Sequence, residues 1–105
     1  MMYYLIRERL NLGREKYGHG VRVNDDTSTW GTSKNSWLEM AIEEYLDAII
    51  YTVADYIKKY EYASSDSDDN LRILQLSTNP EEMVQTTFHA HAVKCLHELV
   101  YSSQQ

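Results

Sequence analysis

Apolar residues recur along this chain at helical spacing, and no stretch alternates as a strand would. From Tyr3 to Tyr17 the positions Ile6, Leu10 and Tyr17 stand among Arg7, Glu8, Arg9, Arg14, Glu15 and Lys16, which predicts an amphipathic helix ended by Gly18. Ser36 followed by Glu39 reads as a capping box. Leu38, Ile42, Tyr45, Ile49, Val53, Tyr56 and Tyr60 then repeat as the seam of the longest helix. LRILQL, from Leu71 to Leu76, predicts a brief helix. Asn79, Pro80 and Glu82 supply a cap, a first-turn proline and an acid for a last helix over Pro80 to Ser102, with Val84, Phe88, Ala92, Cys95 and Leu99 as its stripe. The expected fold is all-α: a bundle of about four helices forming one domain over residues 1–105.

Two segments break the pattern. Residues 19–35 have no sustained period and are rich in Asp, Thr, Ser, Asn and Gly, over a length of about seventeen residues that exceeds most connections in compact domains. Trp30 in its middle predicts an ordered loop, which either covers a ligand or docks on the core. The tract EYASSDSDDN, after the long helix, has almost no core-forming residue and predicts a solvated loop.

Charge and cysteine usage narrow the function classes. Ten basic residues against 16 acidic ones give a net charge of -6, which argues against a surface that grips duplex nucleic acid by its phosphates. The first ten residues carry charges, and no long apolar run follows. Neither a signal peptide nor a membrane span is expected, and the default is a soluble cytoplasmic protein without a membrane partner. The single Cys95 suits a reducing compartment and is expected to fill the core. His89, His91 and His97 do not share a helix face as paired ligands would, so structural or surface roles are expected for them.

The long helix holds the candidate chemistry. At about 100° per residue, with Glu39 at zero, Glu43, Asp47 and Glu44 fall at roughly 40°, 80° and 140°. They form an acidic stripe apart from the apolar seam. Glu43, Glu44 and Asp47 lie within about one turn of one another, a spacing that suits a hard divalent cation such as Mg²⁺ or Mn²⁺ shared with substrate phosphates. A solvated charged face is the plainer reading, and Glu39 ranks below the other three because it has a capping role. Asp55 sits in the nearly all-apolar AIIYTVADYI, where a carboxylate must be paired, protonated or metal-linked.

EEYLDAIIYTVADYI, together with REKYGHG, Trp30 and NSWLEM, resembles the Glu-x-x-Asp helix region of the MazG-like all-α nucleoside triphosphate pyrophosphohydrolases of the compact phage type, over roughly residues 8–60. The resemblance implies hydrolysis of a nucleoside triphosphate, with dGTP among the expected substrates, to monophosphate and pyrophosphate with Mg²⁺ or Mn²⁺. It makes Glu44 and Asp47 the Glu-x-x-Asp pair. Glu43 becomes the adjoining acid that orders water or a second ion. Lys16 is the expected phosphate contact, with Arg14 nearby, Trp30 a base-stacking platform, and Asn35 and His19 further substrate contacts. The family's second acidic motif, Glu-Glu-x-x-Glu, has no clean copy here; Glu39, Asp55 or the pair Glu81 and Glu82 are its possible replacements. The resemblance also implies a homo-oligomer, a dimer or a tetramer. The competing expectation is a non-catalytic acidic helical interaction protein.

Overall fold

The structure is a computed structural model that describes residues 1–61 and 68–104. It is an all-α arrangement of four helices: α1 (Met2–Tyr17), α2 (Trp37–Tyr60), α3 (Asn70–Thr78) and α4 (Thr87–Ser102). Short 3-10 turns occur at Thr27–Trp30 and Pro80–Glu82, and there is no strand among the described residues. None of these helices is long and apolar enough to cross a membrane. Most of the expected solvated tract, residues 62–67, lies outside the described residues.

Interhelical packing is concentrated in α2, α3, α4 and the turn at Pro80. Ile49, Val53, Tyr56 and Ile57 of α2 meet Leu76 of α3, Met83, and Val93 of α4 in one core. Arg72 on α3 donates from Nε and Nη2 to the two carboxylate oxygens of Glu61, at 2.8 and 2.6 Å, clamping the end of α2 to α3. The first half of the expected α2 seam is not buried; Leu38 stays exposed and burial starts at Ile49.

The last helix differs from the sequence expectation. It does not run from Pro80: a three-residue 3-10 turn comes first, Met83 drops into the core, and Thr86 caps a new helix by accepting the His89 backbone N–H at 3.3 Å. The break re-registers the stripe. Met83, His89, Val93 and Val100 face inward, while Val84, Phe88, Cys95 and Leu99 are exposed. Cys95 is thus not a core filler; its thiol lies 3.5 Å from His91 Nε2 on the helix surface.

Buried His89 is tolerated because both ring nitrogens have partners: Thr86 Oγ1 at 2.6 Å from Nδ1 and Asp55 Oδ2 at 2.7 Å from Nε2. Lys59 Nζ joins Asp55 at 3.1 Å. Hydrogen bonds from His89 and then Lys59 hold the Asp55 carboxyl below its ordinary range. The carboxylate in the apolar run is therefore paired, and its partner crosses from α4. His97 is structural as well, its Nε2 lying 2.7 Å from the Ser77 carbonyl oxygen of α3.

α1 stands apart from this body. None of its residues is buried, and Gly18, in the left-handed region at φ 81°, closes it by donating its N–H to the Arg14 carbonyl at 2.8 Å.

Candidate functional site

The connection from α1 to α2 is ordered by its own polar groups. Asp26 caps the 3-10 turn, accepting the Ser28 N–H at 2.9 Å and the Ser28 hydroxyl at 2.6 Å. These bonds hold its carboxyl below the ordinary range. Thr27 is fully buried. Its backbone N–H donates to Asn35 Oδ1 at 3.1 Å, its hydroxyl lies 2.9 Å from that of Thr32, and it accepts the Ser36 N–H at 2.8 Å.

Glu39 secures the other side of the loop. Its carboxylate accepts the N–H and hydroxyl of Ser33, both at 2.7 Å, and the Lys34 N–H at 3.1 Å. Those bonds, Ser33 foremost, hold its carboxyl below the ordinary range. Only half of the expected capping box forms: Ser36 Oγ accepts the Glu39 N–H at 3.1 Å, but the Glu39 side chain turns to the loop instead of to Ser36. Both oxygens of Glu39, and the side-chain oxygen of Asn35, are thus committed to loop structure.

This loop, the second half of α1 and the first turn of α2 enclose a cleft of about 550 Å³. Its walls combine three guanidinium groups, from Arg9, Arg14 and Arg22, with the rings of Tyr17, Trp30 and Trp37. The two indoles lie against each other at 5.5 Å between centroids, tilted by 56°, and Trp30 is 50% exposed. Trp37 is fixed by donating its indole N–H to the Val23 carbonyl at 2.9 Å.

His19 also lines the cleft, its Nε2 lying 2.8 Å from Arg22 Nη2 and its Nδ1 2.7 Å from the Gly20 carbonyl. A guanidinium only donates, so Nε2 accepts from Arg22 and Nδ1–H donates to Gly20. Arg22 is steadied further by Asp25 at 3.2 Å. A Cβ on Gly20 would stand 3.1 Å from Arg14 Nη2, so this glycine gives the guanidinium room against the loop backbone.

Lys16, the cation expected to bind phosphate, is not in the cleft wall; its ammonium sits 5.4 Å from the Tyr17 ring centroid. The cations of the cleft wall are Arg9, Arg14 and Arg22. Spacing in the sequence does not single out Arg9, Arg22, Tyr17 or Trp37 as cleft residues. Trp37 is legible only as a member of the motif NSWLEM, Arg22 only as a neighbour of KYGHG, and Arg9 only by its place one turn before Gly13.

The carboxylate stripe continues from the cleft floor. With Met40, a cleft residue, at zero, Glu44 falls at about 40°, Asp47 at about 340° and Glu43 at about 300° around the helix. The core residues Ile49, Val53, Tyr56 and Ile57 lie on the far side, at about 160–260°. All three carboxylates are exposed and enter no ion pair among the described residues. The rise along the axis puts them about 5–10 Å beyond Met40. No three His, Cys, Asp or Glu side chains among the described residues close around a single point, so the stripe offers oxygen ligands without forming a cage.

The possible replacements for a second acidic motif do not join the stripe. Glu39 serves the loop, Asp55 binds His89 and Lys59, and Glu82 accepts from Gln75 Nε2 at 3.0 Å beside α3. Glu81 shares that distant 3-10 turn.

No family model, curated protein or solved structure matches the chain. The site must therefore be read from its own chemistry.

Proposed function

We propose that this chain is a metal-dependent nucleoside triphosphate pyrophosphohydrolase, releasing a nucleoside monophosphate and pyrophosphate. One observation carries the reading: a cleft lined by three arginines and two tryptophans shares Met40 with a helix whose next two turns bear three exposed carboxylates that enter no ion pair among the described residues. A nucleoside triphosphate needs an apolar aromatic platform, fixed positive charge, and oxygen ligands for the cation it carries. The cleft supplies the first two, and the turns of α2 that follow Met40 supply the third.

In this reading the base stacks on Trp30 and Trp37, while Arg14 and Arg22 hold the phosphate chain by bidentate, charge-assisted hydrogen bonds. His19 keeps Arg22 aimed into the cleft. The donor set of Glu43, Glu44 and Asp47 is all carboxylate, which fits Mg²⁺ or Mn²⁺ in preference to a softer metal. Glu44 and Asp47 would hold such an ion, which would supply charge neutralisation at the phosphates. Glu43 would orient the attacking water as a general base. The site distinguishes a nucleotide from a simple phosphate by its tryptophans; dGTP is the first substrate to try.

Incubating the protein with each of the common ribo- and deoxyribonucleoside triphosphates and Mg²⁺ or Mn²⁺ tests the proposal. Monophosphate and pyrophosphate in equal amounts are expected from at least one of them. Absence of monophosphate from all of them overturns it, and diphosphate with orthophosphate would assign the cleft a different reaction.

A further inference from the structure

α1 is an amphipathic helix without a covering surface, and the body of the same chain has an apolar groove without a filling. On α1 the residues Met2, Ile6, Leu10, Gly13 and Tyr17 recur every three or four positions and share one face. Leu10, Gly13 and Tyr17 line the arginine cleft, but Met2, Tyr3 and Ile6 extend past it and remain exposed. On the body, α2, α3 and α4 leave a groove of about 560 Å³ with Leu46, Ile50, Leu74 and Tyr101 on its walls, all four exposed.

The size of the uncovered surface sets the scale. A compact folded chain of 12.3 kDa exposes roughly 6,100 Å², whereas this one exposes 8319 Å². The excess of about 2,200 Å² per copy exceeds the approximately 800 Å² that each partner buries in a standard stable interface. The radius of gyration agrees: 16.6 Å, against about 13 Å for a compact chain of this length.

We propose that the N-terminal half of α1, presenting Met2, Tyr3 and Ile6, seats in the α2–α3–α4 groove of a second copy, and that the second copy's α1 seats reciprocally. Each copy offers one helix and one groove, so the exchange can close as a two-fold dimer with no surface left to propagate. The inference rests on packing and area and stands independently of the nucleotide reading.

Ile6→Glu and Leu74→Glu test it, since both residues are exposed within one chain and their charges leave its core intact. By light scattering at micromolar concentration the unaltered protein should have twice the chain mass. Each variant should fall to the single-chain mass with helical circular dichroism retained. As a second measurement that does not depend on charge, a Cys95→Ser, Ile6→Cys copy mixed with a Cys95→Ser, Ile50→Cys copy should form a disulfide between chains on oxidation. A monomeric unaltered protein overturns the proposal. So does a dimer that survives both substitutions, since it would use another face. When Ile6→Cys and Ile50→Cys are made together in one Cys95→Ser copy, a disulfide that forms only within single chains would also overturn it, by placing each α1 in its own groove.

Discussion

Replacing His89 by alanine removes a buried polar side chain that bridges α4 to α2, and the structure lets the loss be sized. The ring is 4% exposed and packs against Tyr56, Tyr60 and Phe88 at centroid distances of 5.5, 6.0 and 5.2 Å. Truncating a buried aromatic ring typically costs about 3–5 kcal/mol, and an imidazole, being smaller and partly polar, belongs at the lower end. Its hydrogen bonds to Asp55 and Thr86 go too, but neither partner is stranded. Asp55 keeps Lys59 and faces water, and Thr86 keeps its cap to the helix backbone. The expected loss is therefore about 3 kcal/mol, or a fall in melting temperature of roughly 12 °C for a domain of this size. Thermal unfolding followed by circular dichroism measures it. Asp55→Asn, which retains an acceptor for Nε2–H, should cause a smaller fall. A drop below about 4 °C for His89→Ala would refute the view that this bridge locks α4 onto α2.

Other expectations concern the cleft and acid stability. Arg14→Ala and Arg22→Ala each remove charge-assisted hydrogen bonds to phosphate, worth about 1.5–3 kcal/mol, so each should raise the KM for the triphosphate roughly tenfold or more; Lys16→Ala should change it little. Trp30→Ala should weaken nucleotide binding by about 1–3 kcal/mol and abolish most of the tryptophan fluorescence quench on nucleotide addition. Glu61 is held below its ordinary 4.5 by hydrogen bonds from Arg72, and Asp55 below 3.8 by those from His89 and then Lys59. Because folding depresses both values, the stability they contribute is complete above the unfolded values and is lost as pH falls through the folded ones. The urea midpoint should hold from pH 7 to about 5 and fall below it, and Glu61→Gln should flatten that fall.

Much of the helical framework was legible because it rests on local signals. Helical spacing located α1 within a residue, Ser36 marked the start of α2, and Leu71 to Leu76 lies inside α3. The break before α4 was hidden because Pro80, Glu81 and Glu82 start a 3-10 turn as readily as an α-helix. The inward register of α4 was hidden by His89. A periodicity reading assigns the seam to Val84, Phe88, Cys95 and Leu99, and only the partnership of His89 with Asp55, 34 residues away, makes the polar register the buried one.

At the site, the acidic stripe on α2 was visible as a helical spacing, but its cationic and aromatic complement was not. Arg9, Arg14 and Arg22 come from α1 and the loop, and only the Thr27–Asn35 and Glu39–Ser33 hydrogen bonds bring that loop to the head of α2. Glu39 is expected as the lowest-ranked acid of the stripe and Asn35 as a polar contact for the base; in the structure their side chains hydrogen-bond to the loop that lines the cleft.

In the proposed function the carboxylate face of α2 performs metal-assisted hydrolysis on a nucleotide held in the arginine and tryptophan cleft. Pyrophosphate release from the preferred triphosphate, followed in parallel for the unaltered protein and Glu44→Gln, is the decisive comparison. Glu44 is exposed and enters no ion pair among the described residues, so the variant should keep its helical signal and thermal stability while losing roughly a hundredfold or more in turnover. A Glu44→Gln protein that releases pyrophosphate as fast as the unaltered one would show that this carboxylate takes no part in hydrolysis.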